Sequence, residues 1–238
     1  MPIQHVLILG GSSGIGLAAA ERLARNGYAV TIAGRDARRL AAAKDTLGGD
    51  VAAVPLDGAD FDALPAAFAR VGAIDHLVLA FGSGKGLGPL AEVSLADVRA
   101  GFEEKVVAHI ACAQAALPHL SGDGSLTFVS AVSGQAAMPG TAGIGAANAA
   151  VAALTPILAV ELAPRRVNCV SPGVVDTPWW GFLPEDQRGA VFADYGARSP
   201  VRRVGAPDDV AQAIAFLIAD SFMTGHTLIC DGGLRLAS

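Results

Sequence analysis

The sequence holds only two tyrosines, Tyr28 and Tyr195, and three lysines, Lys44, Lys85 and Lys105, in 238 residues. Charged residues make up 16% of the chain and the formal net charge is -5. With no basic cluster on that background, binding to nucleic acid through a basic surface is excluded. The three cysteines, Cys112, Cys169 and Cys230, are odd in number and far apart. They match neither a zinc spacing nor a disulfide framework, so the sequence reads as that of a cytoplasmic protein in a reducing compartment. The N-terminal residues carry no basic region, and the apolar run at 6–9 is too short for a signal peptide. A long unbroken apolar run is also missing. The uncharged stretch 124–160 is interrupted by Gln135, Pro139, Asn148 and Pro156, and it reads as a strand, a loop and a buried small-residue helix, with no membrane partner. What the sequence has in quantity is apolar and small: 52% hydrophobic residues and 29 glycines. That composition excludes disorder and suffices for a sizeable core.

Short apolar runs alternate with helical segments along the whole length. Strands are predicted at 5–10, 28–33, 51–55, 74–80, 125–130, 166–170 and 228–230. Helices are predicted at 14–26, 36–47, 60–71, 95–117, 144–162 and 207–219. Such alternation means parallel strands joined by right-handed crossovers with helices on both faces. The expected fold class is therefore a Rossmann-type, doubly wound α/β domain covering 1–238, with no linker and no repeat. One region, 176–204, shows no regular pattern and collects Trp179, Trp180, Phe182, Phe192 and Tyr195. An aromatic insertion of this kind reads as a lid over a small-molecule substrate, with core packing or a subunit interface as the plainer reading.

Between the first predicted strand and helix lies Gly10-Gly11-Ser12-Ser13-Gly14-Ile15-Gly16. Glycines there let the backbone approach a pyrophosphate, and the helix N-terminus offers free N–H groups and the positive end of its dipole. At the end of the second predicted strand stands Gly34, followed by Arg35, where an NAD site would place an acidic residue for the ribose hydroxyls. A guanidinium there suits a 2′-phosphate, so NADP(H) is favoured over NAD(H). Asp36 is better placed as the N-cap of the second helix than as a ribose ligand.

The G-x-x-x-G-x-G spacing resembles that of the short-chain dehydrogenase/reductase family. Three later segments resemble it too: Asp57 after the third strand, Ser171-Pro172-Gly173 with Thr177-Pro178, and Asp231-Gly232-Gly233 near the C-terminus. The resemblance covers essentially the whole chain. It implies a seven-stranded sheet, a bound nicotinamide cofactor and a homodimer or homotetramer. Carried onto this sequence, it implies that Asp57 meets the adenine amino group and that Val175 and Thr177 hold the carboxamide end of the nicotinamide.

The family's hydride-transfer chemistry is expected to need a tyrosine acid/base, a lysine four residues later, a serine that polarises the same oxygen, and an asparagine on the preceding long helix. Here the segment 143–151 resembles the family's A-Y-x-x-x-K-A-A-V but carries Ile144 at the tyrosine position and Asn148 at the lysine position. The serine position is Ala131, with Ser130 next to it and expected to point to the other face. The asparagine position is Lys105, and of the family's N-N-A-G only Gly82 remains. Neither tyrosine has a lysine four residues on. Loss of one general acid costs about 10²–10⁴-fold in rate. The ammonium and the amide nevertheless both survive, in exchanged places. Asn148 is the candidate ligand of the nicotinamide ribose, and Lys105, in an apolar site, the candidate proton donor. The plainer reading of Lys105 is a surface lysine or an ion pair with Glu103 or Glu104. His109, one turn on, is a candidate relay or a packing residue. Lys85 is a candidate contact for an acidic substrate, and Ser133 a candidate replacement for the serine. Sensor, assembly-subunit and non-redox roles on the same scaffold stay open at this point.

Overall fold

The computed structural model describes residues 2–237. Strand β1 (His5–Leu9) shows why the sheet is buried on both sides. Successive side chains in a strand point to opposite faces. Val6 and Ile8 join one apolar layer with Leu23 and Leu40, and Leu7 and Leu9 join the other with Phe68 and Cys112. The first layer is covered by α1 (Gly14–Arg25), α2 (Ala37–Leu47) and α8 (Pro207–Ala219). The second is covered by α3 (Leu64–Val71), α5 (Ala108–Ala116) and α6 (Ala142–Glu161).

The other strands are β2 (Ala29–Gly34), β3 (Ala52–Pro55), β4 (Ile74–Leu79), β5 (Leu120–Val129), β6 (Arg166–Pro172) and β7 (Thr227–Cys230). They form one seven-stranded sheet in the order β3-β2-β1-β4-β5-β6-β7, and every pair is parallel. The order reverses between β1 and β4, which opens a crevice beyond the carboxyl ends of those strands. The doubly wound Rossmann-type fold expected from the alternation is the one observed.

Several boundaries differ from the sequence reading, each for a local reason. Strand β5 begins at Leu120, because its first residue pairs with Ile74 before the register shifts on the way to His76. Helix α3 begins at Leu64, with Pro65 in its first turn; the residues before it form a turn in which Asp60 accepts from the Ala63 N–H. The long helix predicted at 95–117 is α4 (Leu95–Phe102), a π-helical turn (Glu103–Val107) and α5 in succession. The region without a predicted pattern, 176–204, holds a 3₁₀ turn (Pro178–Phe182) and a 14-residue helix, α7 (Glu185–Arg198). Helix α6 is long and apolar enough by length and composition to cross a membrane, the only such helix among the described residues. Gly143, Ala147, Val151 and Thr155 on it are buried, and Val151 joins the apolar layer over β5 and β6.

Candidate functional site

A cavity of about 1060 Å³ occupies the crevice at the strand ends. Its first wall is the β1–α1 loop. Gly10 has φ +81° and is so close to β4 that a Cβ there would lie 2.5 Å from the Ala80 carbonyl oxygen. A Cβ on Gly16 would lie 2.2 Å from the Gly10 carbonyl oxygen. These contacts admit only glycine. Gly10 and Gly11 both donate to the Ala33 carbonyl, which ties the loop to β2. Ser13 is the N-cap of α1, yet its hydroxyl makes no capping hydrogen bond. The first-turn N–H groups of α1, which no residue of the helix itself can satisfy, are therefore left to an anion from outside. A backbone cradle shaped by obligatory glycines, with an uncapped helix end above it, fits the pyrophosphate of a dinucleotide.

On the β2 and β3 side, Arg35 and Asp57 are both exposed and both line the cavity. Asp36 is committed elsewhere, as its sequence position predicts. Its carboxylate accepts from the N–H groups of Arg38 and Arg39 at 2.9 and 3.1 Å and caps α2. Those two backbone bonds and the neighbouring arginines hold its pKa below the usual carboxylate value. Across the loop, Gly82, Pro172, Gly173, Val175 and Thr177 also line the cavity, as do Ser12, Ser13, Gly14 and Ile15. Gly173 packs so tightly on the C-terminal segment that a Cβ would lie 2.8 Å from the Asp231 Cα. The Asp231-Gly232-Gly233 segment thus shapes the site from behind.

The β4 and β5 side carries a different chemistry. The π-helical turn inserts Lys105 into the sheet ends, where it is 7% exposed. Its ammonium donates to the Phe81 carbonyl at 2.8 Å and to the Val129 carbonyl at 2.6 Å. Burial pushes its pKa down to about 8. Neither Glu103 nor Glu104 pairs with it. Glu104 instead accepts from Ser83 at 2.6 Å and from Lys85 at 2.9 Å, a rim cluster that ties the β4–α4 loop to the π turn. The surface-lysine and ion-pair readings of Lys105 are thereby corrected, and Lys85, salt-bridged at the rim, already has a carboxylate partner.

Asn148 is also buried and lines the cavity, its amide donating to the Ser133 hydroxyl at 3.2 Å. Ala131 and Ile144 line the same wall. Lys105 and Asn148 therefore share one cavity, but no hydrogen bond joins them; each is held by its own partner. Ser130, expected on the other face, belongs to the same cavity lining, and its hydroxyl accepts from the Ala131 N–H at 2.6 Å.

His109 is corrected as a relay. It is absent from the cavity wall. Its Nδ1–H donates to the Lys105 carbonyl at 2.6 Å, and its ring lies between Phe81 and Phe128. Burial first, and then the neighbouring Lys105 charge, keep the imidazole neutral. Its role is to hold the carbonyl of the π turn; its Nε2 has no partner.

The roof comes from 176–204. Trp179, Trp180, Phe182 and Tyr195 all line the cavity. Trp179 meets Trp180 edge-on at 4.9 Å, and Trp180 meets Phe192 edge-on at 5.6 Å. Trp180 Nε1 donates to the Val175 carbonyl, and the Arg198 guanidinium lies 4.5 Å from the Tyr195 ring centre. Leu87 and Met138 also line the cavity. The sequence reading missed Met138 and the Ser83–Glu104–Lys85 cluster. The cluster joins residues 21 positions apart, and no periodicity signals such a meeting. Among the described residues no group of three or more His, Cys, Asp or Glu is placed to hold a metal ion.

Residues 10–235 match the family model described as enoyl-(acyl carrier protein) reductase. The chain is 37% identical to cis-4-hydroxycyclohexanecarboxylate dehydrogenase of Sinomonas cyclohexanicum, covering 95% of this chain and 94% of the relative. A solved small-chain dehydrogenase in complex with NADPH superposes with a TM-score of 0.87 at 31% identity, over 99% of this chain and 100% of the other. The solved MalC reductase/Diels–Alderase of Malbranchea aurantiaca superposes with a TM-score of 0.88 at 27% identity, over 99% of this chain and 97% of the other.

Proposed function

The chain belongs to the short-chain dehydrogenase/reductase family of oxidoreductases, and from that premise we propose that it is an NADP(H)-dependent member that works without the family's serine, tyrosine and lysine. The observation that carries this reading is the buried Lys105 ammonium on the cavity wall, at the ends of β4 and β5, where Ala131 and Ile144 offer only hydrocarbon. When bound, the reduced cofactor supplies the hydride to a carbonyl carbon. In this reading the carbonyl oxygen takes its proton from Lys105, and the amine is reprotonated from solvent. Gly10, Ser12, Ser13, Gly14, Ile15 and Gly16 hold the pyrophosphate. Arg35 holds the 2′-phosphate, and Asp57 the adenine. Gly82, Pro172, Gly173, Val175 and Thr177 shape the nicotinamide end, and Asn148 binds its ribose. The engagement of Asp36 in capping α2 supports NADP(H) over NAD(H).

The aromatic roof supports a small carbonyl or alcohol substrate with an apolar ring or chain. A ring ketone such as 4-oxocyclohexanecarboxylate, the oxidised partner of the alcohol in the relative's name, is the natural first probe. We also propose that the chain acts as one domain in the cytoplasm, with 176–204 as its lid. It would form a homodimer or homotetramer, with the exposed Ile157 and Val160 of α6 covered by a symmetry mate. A monomer in solution scattering overturns the last point. The second reading, a cofactor-binding sensor or assembly subunit without turnover, is favoured by the hydrocarbon at positions 131 and 144.

Titration with NADPH and NADH, followed by a carbonyl panel at the nicotinamide absorbance, separates the readings. Tighter binding of NADPH with turnover supports the reductase, and binding without turnover supports the sensor. Binding of neither cofactor overturns both.

A further inference from the structure

The Lys105 ammonium has three N–H donors, and two are spent on the Phe81 and Val129 carbonyls. Among the described residues the third has no partner, and the side chain lines the cavity. No carboxylate neutralises the charge. Glu104 is held by Ser83 and Lys85, and Glu103 makes no bond to Lys105. The groups around Lys105 on other elements do not compensate it either. His109 on α5 is kept neutral by burial, and the Cys169 thiol on β6 is pushed up by burial. Of the other charged groups in the lining, Asp194 is paired with Arg198 at 3.2 Å, Asp36 caps α2, Asp57 belongs to the β3 end, and Arg35 adds a like charge. One end of the cavity therefore carries an unbalanced, poorly solvated positive charge.

Resting on the reading of the cavity as a dinucleotide site, this charge bears on the redox state the site prefers. Arg35 and Asp57 mark the adenosine half and the glycine loop the middle, so Lys105 lies in the nicotinamide half. An oxidised nicotinamide ring carries a positive charge; a reduced one is neutral. We infer that Lys105 makes this site select the reduced cofactor over the oxidised one, so that the protein holds NADPH and releases NADP⁺. Like charges in a site of low effective dielectric repel far more than in water. The selection is thus a property of the resting site, independent of any substrate. It favours loading with the reduced cofactor for reduction, or, without turnover, makes its occupancy a measure of the reduced fraction of the cofactor pool.

Raising the pH removes the Lys105 proton, and the repulsion goes with it, so NADP⁺ binding tightens through the region of pH 8. By linkage, NADP⁺ binding near that pH releases protons from the protein, whereas NADPH binding does not.

The test measures dissociation constants for NADPH by its fluorescence and for NADP⁺ by competition. It uses the full chain and its Lys105→Gln variant, whose shorter side chain is neutral but still polar, with two N–H donors. The wild type is expected to prefer NADPH by about tenfold or more at neutral pH. The variant is expected to lose most of that preference while its NADPH affinity changes by less than about threefold. Should the variant not fold, the wild type alone decides: its preference shrinks as pH rises past about 8, with proton release on NADP⁺ binding. Equal affinities at neutral pH, or a preference unchanged by pH and by the variant, overturn the inference and leave the cofactor reading standing. Failure to bind either form overturns the cofactor reading itself.

Discussion

The two halves of the cavity follow different rules. On the β1–β3 side the backbone does the work. Glycines whose missing Cβ atoms would collide with carbonyls build a cradle, and an uncapped helix end completes it. On the β4–β5 side single side chains do the work, and there Ala131 and Ile144 stand among serines while a lysine enters on a π turn. A backbone cradle tolerates little change, because each contact depends on the fold itself. A side-chain site is remade by one substitution at a time while the sheet stays as it is. The π turn is the fold's accommodation: an extra residue in the helix re-aims one side chain, as such turns do at functional sites.

The strongest way to break the comparison is Gly16→Ala. Its methyl would meet the Gly10 carbonyl at 2.2 Å, so the loop must move. The expected outcome is a loss of NADPH affinity of about 100-fold or more in a fluorescence titration, together with about 1–3 kcal/mol of stability. Retained affinity would show that the cradle is not where the pyrophosphate sits.

Of the same order is Lys105→Met, which leaves the cradle alone and removes the proton donor. Turnover on the best carbonyl of the panel is expected to fall about 10²–10⁴-fold, equivalent to roughly 3–5 kcal/mol of barrier. Adding Ile144→Tyr with Asn148→Lys, both in the same cavity lining, is expected to recover part of that loss.

A third prediction concerns β4, the strand between the halves. His76 is buried, its Nδ1 sits 2.8 Å from the Ser125 hydroxyl oxygen and its Nε2 has no partner. Burial, with help from the Arg166 charge, pushes its pKa down to about 4. The unfolded chain then takes a proton below its ordinary pKa of 6.5 that the folded chain refuses. The stability is fully present above that value and is lost as pH falls from it to about 4, by about 3 kcal/mol. His109, whose pKa also lies well below its ordinary value, acts in the same direction. Urea unfolding across that interval checks the slope.

The smallest effect is Arg35→Ser, expected to narrow the preference for NADPH over NADH by about tenfold while turnover at saturating NADPH stays unchanged. An unaltered preference would assign the 2′-phosphate to another group.

Much of the first half of the site was legible in the sequence, because the backbone rules that shape it leave a signature in glycine spacing. The Asp36 cap was legible for the same reason, since capping is local. That Lys105 and Asn148 line one cavity followed from two segments being counted against a known spacing. The π turn was not legible. Its residues Glu103 to Val107 fit an α-helix equally well, and the contacts that set it apart are tertiary: the Phe81 and Val129 carbonyls holding Lys105 Nζ. The roof helix α7 was missed because only Gly196 in it is buried, so its pattern carries no apolar stripe.

The most direct test of the account is the pH dependence of kcat at saturating NADPH on the best carbonyl of the panel, from about pH 6 to about pH 10. If Lys105 is the acid, turnover is highest while its ammonium is intact and falls as pH rises through about 8, and the fall is absent from the residual activity of Lys105→Met. A wild-type profile that stays flat across that range, a variant with the same fall, or no turnover on any carbonyl would contradict it.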